Sequence, residues 1–312
     1  MNIQCPIPKI LLPVDGSENA TRAVEFTGCL GSLMGKSLSG VALLYVMPGS
    51  YLGKHSDYKD FRSEIIKQSD AIKKIRAQHI EKDIKPFLDA SEKILKDEGI
   101  EINIEELVVD GDPSSEIVRI ADEGNYSTIM MARKKHKDAK DFLTGVTNRA
   151  VHAASKHTVY IVGLDVLIDQ ACPIPKILVP VDGSRYSMKG VDHAACLAST
   201  FSGSISGITL LKVINVDRSE ETENLKKEAR QILKDAKNVF SQAGVSEGLI
   251  TTKLIIGKPA DEIIKETEGE HYNLIILGRK GRSAIKELIL GGVSTKVLQR
   301  CPNQTIAIVS SK

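Results

Sequence analysis

The chain has 312 residues, which favours two domains, and its 42% hydrophobic and 26% charged content is that of an ordinary soluble globular protein. A net charge of +2 with both signs interspersed leaves no basic footprint for nucleic acid, and 4% aromatic residues without tryptophan leave no stacking platform for bases. No apolar run approaches the roughly 20 residues of a membrane helix. The start, MNIQCPIPKILLPVDGS, lacks a signal peptide's basic end and long apolar core, so a cytoplasmic protein without membrane contact is expected.

The chain is a duplication. Residues 5–17 read CPIPKILLPVDGS and residues 172–184 read CPIPKILVPVDGS, 167 positions apart. Cys29 and Cys196 keep that offset, so these cysteines are copies of one another and not ligands of a shared site. There is no C-x2-C or H-x3-H spacing, and the histidines are scattered, so no zinc site or disulfide framework is expected. Later the offset falls to 146, as between Ala132 and Gly278. The first copy therefore carries 21 extra residues between about Pro48 and Pro86. The copies divide the chain into residues 1–168 and 169–312.

In chain order, the apolar run Lys9 to Val14 reads as a buried strand ending at Asp15-Gly16-Ser17, where Asp or Ser can cap a helix from Asn19 to Met34. Val41 to Met47 is a second strand. Asp57 to Lys96 is charged and helix-periodic, one long helix or two, covering a sheet face and projecting beyond it. Ile102 to Val109 is a third strand. Gly111-Asp112-Pro113 then opens a helix from Ser114 to Glu123, with proline near its start. Thr128 to Ala132, a helix Thr147 to Ser155 and a strand Thr158 to Val162 complete the copy.

The second copy repeats this, with strands at Lys176–Val181, Ile208–Ile214, Ile250–Ile256, Asn273–Leu277 and Thr305–Val309. Its helices are expected at Met188–Thr200, Glu220–Ala243, Ala260–Glu268 and Val293–Arg300. Alternating strands and helices, with strands apolar throughout, give an α/β fold with a parallel sheet covered on both faces.

One stretch carries chemistry. Gly278, Gly281 and Gly291 are spaced G-x2-G-x9-G, between a strand and a helix start. Glycines let backbone N–H groups approach an anion, and a helix N-terminus adds unpaired donors and partial positive charge. Arg279, Lys280 and Arg282 beside the loop either neutralise phosphate or are solvated loop cations. In the first copy the stretch reads ARKKHKDAKDFLTGVTN, with Ala132 and Lys135 in place of the first two glycines. If the second glycine needs positive φ, a lysine there costs about 1–2 kcal/mol.

Four features together, the PVDGS strand end, the G-x-P turn, the G-R-K-G strand exit and the glycine loop ending in G-V-S, resemble the universal stress protein family, once in each half. The resemblance implies tandem Rossmann-like domains, each a five-stranded parallel sheet of order 3-2-1-4-5. Their fifth strands would pair within the chain as a pseudo-dimer, and a four-domain homodimer of two chains is compatible with it. It also implies ATP, or AMP or ADP, at the carboxyl ends of the first and fourth strands, with or without Mg²⁺. Carried onto this sequence, Pro180, Val181 and Asp182 would line the adenine and ribose end and Val213 would pack on the base. Leu277 and Gly278 would lie under the ribose and α-phosphate. Gly281, Gly291, Gly292, Val293 and Ser294 would hold the phosphates through N–H groups and the serine hydroxyl. Gly292 departs from the family's usual Ser or Thr. Asp182 would hold nucleotide or Mg²⁺, or simply cap the next helix. No catalytic residue is assigned.

The first half, lacking the cradle, is expected not to bind ATP in this mode and to serve as a structural or interaction partner. Three classes compete: a nucleotide-binding stress or regulatory protein, a slow ATP hydrolase, and a protein-interaction module without nucleotide. The loop lacks the G-x4-G-K-[ST] pattern, and Glu287 is its only carboxylate. The charged insertion, residues 56–70 above all, is the expected surface for an unidentified protein partner.

Overall fold

The computed structural model describes residues 7–48, 70–133, 145–165, 174–215, 222–281 and 290–310. The first half runs β1 (Lys9–Pro13), α1 (Glu18–Met34), β2 (Gly40–Pro48), α2 (Asp70–His79), a π-helical turn (Ile80–Ile84), α3 (Lys85–Asp97), β3 (Ile104–Gly111), α4 (Pro113–Glu123), β4 (Thr128–Ala132), α5 (Val146–Ala153) and β5 (Thr158–Val162). The second runs β6 (Lys176–Pro180), α6 (Arg185–Thr200), β7 (Gly207–Ile214), α7 (Thr222–Gln242), β8 (Ile250–Ile256), α8 (Pro259–Gly269), β9 (Leu274–Gly278), α9 (Gly292–Arg300) and β10 (Thr305–Val309). The expected boundary at residue 168 and most of the expected partner surface lie outside the described residues.

The strands form one ten-stranded sheet in the order β3-β2-β1-β4-β5-β10-β9-β6-β7-β8. Each half is thus parallel in the order 3-2-1-4-5, and the halves meet where β10 pairs antiparallel with β5, Ala307 opposite Tyr160. Strand side chains alternate between two helical layers. Ile10 and Leu12 of β1 enter the core that also contains Phe26 of α1, Leu88 of α3 and Phe240 of α7. Leu11 enters the opposite core with Ile117 of α4, Val151 of α5 and Val297 of α9. Burial on both faces explains why these strands read as unbroken apolar runs. No helix among the described residues is long and apolar enough to cross a membrane.

Local chemistry sets the turns. At both PVDGS corners the serine caps the helix: Ser17 Oγ accepts from Ala20 N–H and Ser184 Oγ from Ser187 N–H, each at 3.2 Å. The aspartates do not cap. Asp15 and Asp182 accept from the serine amides at 3.2 and 2.8 Å, across glycines with φ of +72° and +85°. The described part of the insertion is one continuous helical run. Its π turn lies just before Pro86, where a ring without an N–H would meet the carbonyl of the preceding turn. From α2, Arg76 reaches the outer strand β3, donating to Asp110 at 2.8 Å and to the Val108 carbonyl at 3.3 Å.

At the junction Tyr160 and His193 share a buried hydrogen bond of 2.5 Å, and Phe26 stands at His193's matching position in the first half. Burial drives the His193 imidazole down to about 3. An unfolded imidazole titrates near about 6.5, so below that value the unfolded chain takes up a proton the folded one refuses. Stability should therefore fall as pH drops from about 6.5 toward 3. The double replacement Tyr160→Phe with His193→Phe should flatten that slope in urea titrations, and an unchanged slope would place its origin elsewhere. Just past β5, a Cβ on Gly163 would collide with the backbone carbonyl of Asn303. Gly163→Ala should cost about 1–3 kcal/mol by forcing the halves apart; a loss near zero in the same titration would contradict so close an approach.

Candidate functional site

At the carboxyl ends of the second half's strands lies a cleft of about 1150 Å³. Eleven of the twelve residues expected from the sequence line it: Pro180, Val181, Asp182, Val213, Leu277, Gly278, Gly281, Gly291, Gly292, Val293 and Ser294. The exception is Arg279. Pro180, Val181 and Val213 form an apolar end, with Val181 tied to Leu211 by a 2.8 Å backbone bond. Lys212, almost fully buried, donates to the Asp182 carbonyl at 3.2 Å.

The glycines are required by proximity, not by φ. None of the four loop glycines has a positive φ, so the strain expected from a lysine at the second one does not arise from backbone conformation. A Cβ on Gly278 would lie 2.5 Å from the Tyr186 backbone, because the first turn of α6 rests directly on the end of β9. A Cβ on Gly281 would meet the Asp182 carboxylate at 2.8 Å. Gly291 donates its N–H to the Arg279 carbonyl at 2.9 Å, which occupies the amide expected to hold phosphate. Of the four, Gly292 faces open space, with nothing beyond its chain neighbours and its own helix backbone within 4 Å of the point where a Cβ would stand.

Ser294 also differs from expectation. Its hydroxyl donates to the Gly278 carbonyl at 2.9 Å and is buried, so it fastens α9 to β9 and does not offer its proton to the cleft. What remains for an anion is the start of α9. The first-turn amides of Gly292, Val293 and Ser294 have no acceptor within the helix, and the N-cap Gly291 has no side chain to cover them. Around them stand Lys212, Lys258, Lys280 and Lys296, against the carboxylates Asp182, Glu228 and Asp261. Lys258 is the N-cap of α8 and makes no capping bond there. Lys212, Lys258 and Lys296 are not among the residues expected from the sequence. The signal was available in the duplication, where Tyr45 and Asp112, which match Lys212 and Lys258, are not cationic.

Among the described residues no three metal-ligating side chains converge in the cleft. Mg²⁺ needs a near-octahedral oxygen shell. One Asp182 oxygen already accepts from Ser184, the other abuts Gly281, and buried ammonium groups flank the loop.

Arg279 points out of the cleft and is 2% exposed. It is therefore neither a phosphate partner nor a solvated loop cation. Its guanidinium donates to the carbonyls of Val151, His152 and Ala154 at 2.7, 2.6 and 3.1 Å, in the first half, and burial lowers its pKa to about 10. Lys280 is buried and lines the cleft; Arg282 and Glu287 lie outside the described residues.

The first half fills the corresponding places with its own side chains. Tyr45, at the position of Lys212, packs edge-on to Phe87, with ring centres 5.5 Å apart, and Phe87 rests on Gly16. Asp112, at the position of Lys258, caps α4 by accepting from the Ser115 N–H at 3.1 Å and pairs with Arg149 in the first turn of α5, also at 3.1 Å. The Ser114 hydroxyl foremost, then Ser115 and Arg149, hold the Asp112 carboxyl down to about 2. A carboxylate thus caps α4 and holds an arginine side chain of α5, where the second half has Lys258 at the start of α8.

A model of the universal stress protein family matches residues 6–163 and again 173–308. A universal stress protein of Methanocaldococcus jannaschii is 31% identical over 136 residues, 41% of this chain and 78% of that protein. Universal stress protein YxiE of Bacillus subtilis is 33% identical over 145 residues, 41% of this chain and 95% of that protein. The crystal structure of a universal stress protein from Archaeoglobus fulgidus shares the fold, with a TM-score of 0.67 at 20% identity over 97% of this chain and 96% of that one. With the family's pattern met twice and the sheet order repeated in each half, the chain belongs to the universal stress protein family as a tandem of two such domains.

Proposed function

We propose that the chain is a cytoplasmic regulatory protein that binds ATP, or another adenine nucleotide, in the cleft of its second half, with the first half as structural partner. The observation that carries this reading is the start of α9: a helix N-terminus without a side-chain cap, opening on a cleft with an apolar end and several lysines. An apolar pocket beside a positively charged helix start suits a base joined to phosphates. The lysine at the N-cap of α8 supports the same reading. A cation at a helix's positive end is unfavourable, and a bound anion between the helices relieves it.

Turnover is not part of the proposal. Phosphoryl transfer needs a positioned nucleophile and charge stabilisation, commonly with a metal. The Asp182 carboxylate is bonded within its own turn. Nucleotide binding would then act through conformation or association.

Purified protein, once denatured, should release adenine nucleotide into the supernatant. Calorimetry on stripped protein should count one site per chain, and two equivalent sites would contradict a first half that serves only as structural partner. ATP at about 100 times its Kd should raise stability by about 2.7 kcal/mol. Rapid ADP formation would favour the hydrolase, and no binding at millimolar ATP would favour the interaction module.

Gly292→Asp separates binding from folding. Its side chain has room, and a carboxylate at a helix start is stabilising by about 0.3–1 kcal/mol. The variant should keep or gain stability while losing ATP affinity by about tenfold or more, since it sets like charge on the phosphate position. Unaltered affinity would place the phosphates elsewhere.

A further inference from the structure

Arg279 directly follows Gly278, the last residue of β9, and its two ends hold different things. Its backbone carbonyl accepts the Gly291 N–H at 2.9 Å and so fixes the residue that precedes α9. Its guanidinium crosses to the first half and takes three carbonyls at the end of α5, those of Val151, His152 and Ala154. The last carbonyls of a helix lack intrahelical donors and carry the negative end of its dipole. Hydrogen bonds from a guanidinium to them are charge-assisted and directional. Arg133, the matching residue of the first half, is likewise buried, and its charge is felt at Cys301, the C-cap of α9. Each half therefore sends an arginine toward the C-terminal end of the helix that follows the other half's loop.

The arginine remains at this position in the first half although both neighbouring glycines have been replaced. A residue kept for phosphate has no reason to outlast the cradle. A residue kept for the junction does.

We propose that Arg279 is a positioning residue for the nucleotide cleft: by anchoring the start of the glycine loop to α5 of the first half, it sets the place of the α9 first-turn amides, and nucleotide bound in the second half in turn stabilises the end of α5. This rests on the reading that the cleft takes nucleotide. The coupling is reciprocal, because whatever the anchored loop contributes to binding, binding contributes to the anchor.

Hydrogen exchange of the full chain with and without saturating ATP tests it. In the wild type, ATP should slow exchange in the peptide spanning residues 146–158, although no nucleotide lies in that half. Arg279→Lys keeps the charge but offers one ammonium where three carbonyls need a fork. It should abolish the remote protection and weaken ATP binding at least about fivefold, the lower range of coupling between sites. Arg279→Met should do the same more strongly. Gly292→Asp, which blocks phosphate but leaves the anchor, should remove the ATP effect without changing exchange in the nucleotide-free protein. If the wild type binds ATP and residues 146–158 exchange as before, the inference is overturned while the binding function stands. It is also overturned if Arg279→Lys lowers thermal stability but leaves both the ATP Kd and the remote protection intact, the result of a purely structural contact. A wild type that binds no ATP removes the functional reading and this inference with it.

Discussion

The antiparallel contact between β5 and β10 fixes most of what is distinctive in this molecule. Within each half the strands run one way, so the antiparallel pairing of the halves points the carboxyl ends of their strands in opposite directions. Each crossover helix runs back against its strands, which brings the end of α5 to the edge where β9 delivers its loop. That is why an arginine leaving the second half's glycine loop meets helix carbonyls of the first. The same contact buries backbone groups that two unpaired edge strands would expose.

The elements were largely legible because their cause is local. Strands at residues 128–132, 158–162, 250–256 and 305–309 fall where the apolar runs place them, and a strand buried on both faces has little other vocabulary. Helices α6 and α9 begin at Arg185 and Gly292, three residues and one residue before the apolar periodicity, because a polar residue or glycine in a first turn carries no periodic signal. The lining of the cleft was legible through spacing and resemblance. The destination of side chains was not. Nothing local to Arg279 says that it leaves its domain, and nothing local to Ser294 says that its proton turns inward to Gly278. The spacing points to glycines that let amides approach an anion, whereas the fold uses two of them to let Tyr186 and Asp182 come close.

Comparing the halves shows how one architecture reaches two outcomes through few residues. Exchanging Lys for Tyr at position 45 admits an aromatic pair over the first corner. Exchanging Lys for Asp at position 112 lets a carboxylate bind Arg149 and cap α4 at once. Both changes replace a lysine that lines the second half's cleft with a side chain bonded or packed within the first half. A helix N-terminus with a resident carboxylate has little to gain from an external anion. The first half thus keeps the frame of the fold and turns its polar groups on itself.

The continuous sheet has a further consequence for assembly. Two separate polypeptides that meet edge to edge must find one another, and their complex dissociates as the solution is diluted. Here both edges belong to one polypeptide, and the partner is present at an effective concentration set by the connecting segment. The ten-stranded sheet therefore forms as a unimolecular event, and scarcity of the protein leaves it intact.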